Sequence, residues 1–276
     1  MLYIDTDNGL GSHRGDVDDA FAIAAVLSKR LPVLAIGSVF GNTAEKNAFA
    51  NNRALVNLGP SQTLFWSGAT RKRDWQNEAS EKLALAPKVS QILALGPLTN
   101  LAGALLKNAK AFSHTREVIV VGSNFTSMGP LPPLWPFEFN LTLDRVSTKI
   151  VFDSTLPLTL IPLDQAYRLQ INRVQVDALE SRFGIYLAKN SRRWFDRASR
   201  LKFKKTIPIW DLVAAMYLIY PELFRVSETV GRLSPLGKIQ FGQGSRRLRV
   251  ITDFSTDQVW DAFRALISSD ASSEKN

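Results

Sequence analysis

The sequence predicts an α/β protein of three layers, in which a mostly parallel central sheet is flanked by helices. Apolar runs of strand length alternate along the chain with stretches of helical periodicity. Polar residues follow directly after several of these runs, as they do at the ligand-binding edge of parallel sheets. No linker or internal repeat divides the 276 residues. We therefore predict a single domain over residues 1–268 and a disordered polar tail over residues 269–276.

The first strand and the loop after it contain a dense group of carboxylates. Residues 2–5 predict a short buried strand, and residues 20–27 predict a helix with one apolar stripe. Asp5 and Asp7 leave an extended strand on the same face, whereas Asp18 and Asp19 stand at the start of the helix, where its dipole favours negative charge. Carboxylates this close repel one another unless they are protonated or share a cation, for which Ca²⁺ or Mg²⁺ is suited.

The later elements continue the alternation. Strands are predicted at residues 33–40, 63–66, 91–95, 117–121, 156–161, 226–233 and 246–252, and helices at 44–58, 101–106, 147–152, 174–183, 186–199, 211–220 and 256–267. Residues 68–79 are predicted to be irregular. Because the carboxyl ends of parallel strands meet at one edge of the sheet, the first-loop carboxylates should lie near the residues that follow later strands. These are Asn42, the Leu95-Gly96 turn, Glu138 and Asn140, and Asp211 adds a carboxylate at a helix start.

The composition excludes several kinds of site. Hydrophobic residues make up 45% of the chain and charged residues 21%, as in ordinary globular proteins. With no cysteine and only His13 and His114, the chain has no disulfide, no thiolate metal site and no histidine-rich zinc site, so a metal must be held by oxygen. The chain begins with a strand rather than a signal peptide and has no membrane-spanning run, so we expect a cytoplasmic protein without a membrane partner.

The net charge of +9 is concentrated in a basic run at residues 191–205. Such a run could attract phosphate or nucleic acid, but no nucleic-acid-binding motif accompanies it. We interpret it as a solvated helix face and the loop after it, with Trp194, Phe195 and Leu201 turned inward. No nucleic-acid partner is therefore expected.

Five motifs, taken in order, resemble those of the inosine-uridine-preferring nucleoside hydrolase family. The D-x-D-x-G-x-D-D-A opening of that family stands here as Asp5-Thr6-Asp7-Asn8-Gly9, an insertion, and Asp18-Asp19-Ala20. The later motifs are Gly41-Asn42, an intact G-P-L-T-N-L-A from Gly96 to Ala102, an intact E-F-N from Glu138 to Asn140, and an acidic helix start near Asp211. The resemblance extends from Ile4 to about Ile267 and implies the fold of that family.

The resemblance implies a Ca²⁺-dependent enzyme that hydrolyses the N-glycosidic bond of ribonucleosides to free base and ribose. The implied metal ligands are Asp7, Asp19, Asp211 and the backbone carbonyl of Leu95, and Asp7 would also take a proton from the metal-bound water. Asp18, Asn42, Glu138 and Asn140 would bind ribose hydroxyls, and Asp5 would orient the loop. The implied partners are a small-molecule ribonucleoside and further copies of the chain in a homodimer or homotetramer.

Departures from the family pattern bear mainly on the substrate. The first loop has seven extra residues, and Asp16 among them could replace Asp18 in a ribose or metal role. Trp210 stands where many non-specific members have a histidine acid and purine-specific members have tryptophan, so stacking should favour purine ribonucleosides slightly. A core aromatic is an equally good interpretation of Trp210. Trp75 could also stack on the base, although a surface aromatic is the simpler interpretation.

Two other functions remain open from the sequence. Residues 2–7 also fit the opening of haloacid-dehalogenase-like phosphatases, with Asp5 as nucleophile and Asp7 as acid and base on Mg²⁺. That interpretation leaves the G-P-L-T-N and E-F-N motifs unexplained. The second alternative is a non-catalytic protein that retains Ca²⁺ and nucleoside binding. The products of turnover would separate the three functions.

Overall fold

The computed structural model describes residues 1–12, 15–59, 62–125, 139–200 and 206–269. Within these ranges, the strands are β1 (Leu2–Thr6), β2 (Val33–Ser38), β3 (Leu64–Trp66), β4 (Gln91–Ala94), β5 (Glu117–Val121), β6 (Leu158–Ile161), β7 (Gln170–Asn172), β8 (Thr206–Pro208), β9 (Phe224–Leu233), β10 (Ile239–Phe241) and β11 (Arg246–Phe254). The helices are α1 (Asp18–Ser28), α2 (Glu45–Val56), α3 (Glu78–Leu83), α4 (Thr99–Asn108), α5 (Asn140–Leu143), α6 (Arg145–Asp153), α7 (Leu163–Ala166), α8 (Arg173–Asp177), α9 (Arg182–Arg200), α10 (Trp210–Ile219) and α11 (Thr256–Ser269). Two 3₁₀ helices lie at Ala109–Phe112 and Pro221–Leu223.

One large sheet dominates the described part of the chain. Its strands run in the order β10-β9-β11-β6-β5-β4-β1-β2-β3. All neighbouring pairs from β11 to β3 are parallel, whereas β9 pairs antiparallel with both β11 and β10. Strands β7 and β8 form a separate antiparallel pair. The sheet is therefore mostly parallel, as predicted, with an antiparallel extension at one edge.

Helices cover both faces of this sheet. In β1, Tyr3 belongs to the apolar cluster that includes α3, α4 and α6, while Ile4 belongs to the opposite cluster that includes α1, α9, α10 and α11. Ile92 and Leu93 of β4 divide between the two clusters in the same way. Strands buried on both faces are apolar at nearly every position, which is the pattern that the sequence contains. The three-layer α/β prediction is confirmed.

Several short elements differ from the prediction. Helix α3 begins inside the stretch that was predicted to be irregular, at Glu78, after Asn77, whose side chain accepts a hydrogen bond from the Ser80 backbone N–H. The helix predicted at 174–183 is two helices, since α8 ends at Asp177 and α9 begins at Arg182. Strands β7, β8 and β10 have three residues each and were not predicted, because so short a run leaves no periodic signal.

The terminal segment and the basic run are described in part. Helix α11 extends to Ser269, so the first residue of the predicted tail is helical, and residues 270–276 lie outside the described residues. In the basic run, Phe195 is buried and Trp194 is half-buried, as predicted, while Leu201 lies outside the described residues. Among the residues that the structure describes, no helix has the length and apolar composition that crossing a bilayer requires.

Candidate active site

Four aspartates meet at the carboxyl edge of the sheet. Asp7 follows the last residue of β1, Asp18 and Asp19 open α1, and Asp211 lies in the first turn of α10. Each is at most 4% exposed. We call these four residues the carboxylate cluster. The packing of α1 against α10 brings Asp18 and Asp211 together, although they are 193 positions apart in the sequence.

The residues after β2 fix the side chain of Asp7. The backbone N–H of Asn42 donates a hydrogen bond of 2.7 Å to Asp7 Oδ2. Gly41 is required beside it, because a Cβ atom at that position would lie 1.9 Å from the same oxygen. The other oxygen, Asp7 Oδ1, is buried and accepts no hydrogen bond from any described residue. One oxygen of Asp7 is therefore held in place, and the other is available to a ligand.

Asp18 and Asp19 repeat this pattern. The Thr6 hydroxyl donates to Asp19 Oδ1, and the backbone N–H of Asp211 donates to Asp18 Oδ2 at 3.3 Å. The second oxygens, Asp18 Oδ1 and Asp19 Oδ2, are buried and have no hydrogen-bond partner in the described part of the chain. Buried polar atoms are normally satisfied. Unpartnered carboxylate oxygens in one place are therefore suited to hold a metal ion.

The electrostatics of the cluster lead to the same conclusion. Burial raises the pKa of Asp7 to about 7, and the charge of Asp18 adds to the rise. Burial also raises the pKa values of Asp19 and Asp211 well above the ordinary range, with further contributions from the neighbouring carboxylates. A divalent cation would offset both the desolvation and the repulsion. The donor set, which consists of oxygens alone, fits a hard cation.

Asn140 and Leu95, which sequence analysis predicted to bind sugar and metal respectively, are in direct contact. Asn140 opens α5, and its Nδ2 donates a hydrogen bond of 2.7 Å to the backbone carbonyl of Leu95 at the end of β4. Asn42 is also near the cluster, through its bond to Asp7. Glu138 lies outside the described residues.

Asp5 is held by one residue of its own strand and by one residue of α4. Its Oδ1 accepts hydrogen bonds from the Tyr3 hydroxyl at 2.9 Å and from Asn100 Nδ2 at 2.8 Å. Asn100 also donates to the Ser38 carbonyl and accepts from the Ala69 backbone N–H, at 2.9 and 2.8 Å. Asn100 is the last residue of the G-P-L-T-N sequence, so this motif ties β1 to β2 and to the loop after β3. The motif is visible in the sequence, whereas this role of Asn100 depends on contacts between distant segments.

The insertion in the first loop borders the carboxylate cluster. Asp16 Oδ1 accepts a hydrogen bond of 2.6 Å from Asn42 Nδ2. Asn8, at the other end of the insertion, is held by α2, because Asn51 Nδ2 donates to its carbonyl at 2.9 Å and its own Nδ2 donates to Asn52 Oδ1 at 3.0 Å. These contacts of Asn8 were not predicted from the sequence. The two adjacent asparagines of α2, Asn51 and Asn52, are the feature of the sequence that could have indicated them.

The two tryptophans considered as stacking residues lie in different surroundings. Trp210 is half-buried beside Asp211, its ring centroid is 6.4 Å from that of Tyr167, and its Nε1 has no hydrogen-bond partner among the described residues. Trp75 instead donates from Nε1 to Ser147 Oγ at 2.8 Å and packs against the cluster of α3, α4 and α6. Trp75 therefore has a structural contact and is half-buried, whereas the simpler interpretation expected a surface aromatic, and Trp210 remains a candidate for the base.

Comparison with known proteins identifies the family. Residues 2–261 match the model of the inosine-uridine preferring nucleoside hydrolases, and the chain belongs to this family. It is 25% identical to Uridine nucleosidase 1 of Arabidopsis thaliana, over 86% of this chain and 79% of the relative. It is 24% identical to the non-specific ribonucleoside hydrolase RihC of Salmonella newport (strain SL254), over 87% of this chain and 85% of the relative.

Solved structures agree on the fold. The purine-preferring ribonucleoside hydrolase from Gardnerella vaginalis is similar with a TM-score of 0.82 at 18% identity, over 98% of both chains. The family match makes this chain a nucleoside hydrolase, an enzyme of ribonucleoside N-glycosidic bonds, as its motifs indicated. The family match does not favour a haloacid-dehalogenase-like phosphatase or a non-catalytic nucleoside-binding protein.

Proposed function

We propose that this nucleoside hydrolase is Ca²⁺-dependent and that Asp7 is its general base. The observation that carries the proposal is the arrangement of Asp7, with Oδ2 fixed by the Asn42 N–H and Oδ1 buried without a partner among the described residues. Asp19, Asp211 and the Leu95 carbonyl would complete the protein ligands. When bound, the cation would lower the pKa of a coordinated water and attract sugar hydroxyls.

Ca²⁺ suits this set of donors better than Mg²⁺. The cluster and the Leu95 carbonyl offer several oxygens from four separate segments of the chain. Water and sugar hydroxyls would bring the shell to seven or eight oxygens, which is usual for Ca²⁺ but exceeds the strict octahedron of Mg²⁺. The packed first turns of α1 and α10 would hold Asp19 and Asp211 in position.

In this proposal, Asp7 would accept the proton of the attacking water. The Asn42 N–H holds Oδ2, while Oδ1 is buried and has no hydrogen-bond partner among the described residues, which supports this role. As the N-glycosidic bond breaks, the sugar gains the positive charge of an oxocarbenium-like transition state. The surrounding carboxylates would stabilise that charge.

Asp18, Asn42, Glu138 and Asn140 would bind the ribose hydroxyls. Asn42 contacts both Asp7 and Asp16, Asp18 lies near Asp16, and Asn140 contacts Leu95, and these contacts support the proposal. Trp210, next in sequence to Asp211, would stack on the base. An indole attracts a protonated, electron-poor purine more strongly than a pyrimidine, so purine ribonucleosides should be slightly better substrates.

The test is a panel of ribonucleosides assayed for release of free base. The metal-free protein is measured with Ca²⁺, with Mg²⁺ and with a chelator, and inosine, guanosine, uridine and cytidine serve as substrates. We expect release that Ca²⁺ restores after chelation. Full activity in the chelator would refute the metal dependence, and the absence of base release under every condition would refute the hydrolase function.

The assembly is proposed to be a homodimer or a homotetramer. Light scattering coupled to size-exclusion chromatography of the purified protein measures its mass against the 30.7 kDa of one chain. A single species at one chain mass would refute this part of the proposal.

A further inference from the structure

The insertion in the first loop brings a fifth carboxylate to the site. We propose that Asp16 is an additional oxygen ligand of the divalent cation, beside Asp18 and Asp19. This proposal rests on the cation site proposed above but not on the identity of the substrate. It assigns a chemical role to a segment that the motifs of the family do not contain.

The distances fit a shared ion. One carboxylate oxygen from each of Asp16, Asp18 and Asp19 lies within 4.8 Å of the others. Ca²⁺ binds oxygens at roughly 2.3–2.6 Å, so two oxygens on one ion are at most about 5 Å apart. Asp16 can therefore contact the same ion as Asp19 without any change in the path of the backbone.

The neighbouring oxygens are buried and have no other partner. Asp18 is 4% exposed and Asp19 is fully buried, and Asp18 Oδ1 and Asp19 Oδ2 accept no hydrogen bond from the described residues. The Asp16 side chain lies within hydrogen-bonding range of Asp18. Two carboxylates in such contact repel each other unless a proton or a cation lies between them. A cation among the three would satisfy the unpartnered oxygens and remove the repulsion.

The backbone around Asp16 is packed rather than open. The backbone at Gly9 lies in contact with the backbone at Gly15, since a Cβ atom on Gly15 would lie 2.6 Å from the Gly9 Cα. Leu10 and Val17, on either side of this contact, are buried. Asp16 lies between Gly15 and Val17, so its position is determined by packing. A ligand on a fixed backbone loses little conformational freedom when it binds.

The hydrogen bond from Asn42 orients the Asp16 carboxylate. Asn42 Nδ2 donates to Asp16 Oδ1, and the backbone N–H of the same residue donates to Asp7 Oδ2. Asn42 therefore holds one oxygen from each of two carboxylates that flank the proposed cation. A metal ligand is commonly oriented by such a hydrogen bond from a neighbouring residue.

The experiment measures the affinity of the full-length, metal-free protein for Ca²⁺ alone, by calorimetric titration. The variants are Asp16→Asn, which keeps the size and removes the charge, and Asp16→Ala, which removes the ligand. Asp257→Asn is the matched control, because Asp257 is an exposed carboxylate in the first turn of α11. We expect the Kd to rise at least about tenfold in both Asp16 variants, because losing even a residue that only orients a ligand costs roughly 10–100-fold in metal affinity. In the control it should stay within about twofold.

Thermal unfolding keeps the test decisive if a variant is poorly stable. Without metal, Asp16→Asn should unfold no lower than the wild type, because one of several neighbouring like charges is removed, but its Tm should rise less when Ca²⁺ is added. An unchanged Kd in both variants would overturn the proposal. If the KM for ribonucleosides then rises, Asp16 binds sugar together with Asn42 instead. Ca²⁺ binding by a wild type that releases no base would refute the proposed hydrolase function while leaving the ligand assignment intact.

Discussion

Replacing Asp5 by asparagine should flatten the pH dependence of stability in the metal-free protein. Burial raises the pKa of Asp5 to about 7, whereas the ordinary value is 3.8. The folded state therefore binds the Asp5 proton more tightly than the unfolded state does. It follows that the contribution of Asp5 to stability is fully present below pH 3.8 and is lost as the pH rises through 7.

The magnitude follows from the size of the shift. Each pH unit between the two pKa values changes the free energy of unfolding by about 1.4 kcal/mol. From pH 8 to pH 5, Asp5 should therefore add about 2–3 kcal/mol, since only the interval below its folded pKa of about 7 counts. For a chain of this size, that difference corresponds to roughly 5–10 °C in Tm.

Asparagine is a suitable replacement because it keeps the acceptor. Its side-chain oxygen can still receive the bonds from Tyr3 and Asn100. Carboxyl groups with a lowered pKa, such as those of Glu78 and Asp144, also contribute to the stability of the fold. Their contribution is lost only as the pH falls below the ordinary pKa of a carboxyl group, which lies outside the interval from pH 8 to pH 5. The charge of Asp5 also contributes to the raised pKa of Asp7, so the difference between the two proteins reports on the Asp5 charge directly and through Asp7.

The assay is thermal unfolding in a chelator at pH 5, 6, 7 and 8 for the wild type, Asp5→Asn and the control Asp257→Asn. The wild type and the control should gain stability toward pH 5 more steeply than Asp5→Asn. Parallel curves for wild type and Asp5→Asn would show that Asp5 has the same pKa in both states, and the argument from its burial would fail.

Three further outcomes are expected. Asp7→Asn should lower kcat by about two to four orders of magnitude, the usual scale for a general base, and near-normal turnover would place the base on another carboxylate. Chelation should abolish activity and lower the Tm, and Ca²⁺ should restore both; a Tm indifferent to Ca²⁺ contradicts the proposed site. The ratio of kcat/KM for inosine over uridine should exceed one in the wild type and fall in Trp210→Ala. A wild-type ratio at or below one would refute the purine preference. A ratio that Trp210→Ala leaves unchanged would show that another residue causes the preference.

The central strands could be predicted because their burial is visible in the sequence. Tyr3 and Ile4 face opposite apolar layers, so both are apolar and the strand reads as a continuous run. Asp7, Asn42 and Leu95 each follow one of these apolar runs, and this predicted that they lie at the same edge of the sheet. Asp211 required the family resemblance as well, since it belongs to a helix rather than to the end of a strand.

The path of the inserted loop could not be predicted, because it depends on contacts between distant residues. Asn8 is held by Asn51 and Asn52 of α2, more than 40 positions away, and nothing in the loop sequence specifies that partner. Asp16 was recognised as a possible replacement for Asp18, but its bond to Asn42 depends on this anchoring. Helix α3 was missed for a different reason, since six residues with an Asn77 cap contain too little periodicity to be detected.

The hydrogen bonds around the carboxylates explain how the fold tolerates them without satisfying them. In Asp7, Asp18 and Asp19, one oxygen accepts a hydrogen bond, and the other is buried without a partner among the described residues. The first contact fixes each side chain, and the second oxygen costs stability for as long as it lacks a ligand. A sequence selected only for stability would replace such residues with apolar ones. Their retention is therefore best explained by a cation that the folded chain binds and the unfolded chain does not, which stabilises the fold through the same oxygens that would serve the reaction.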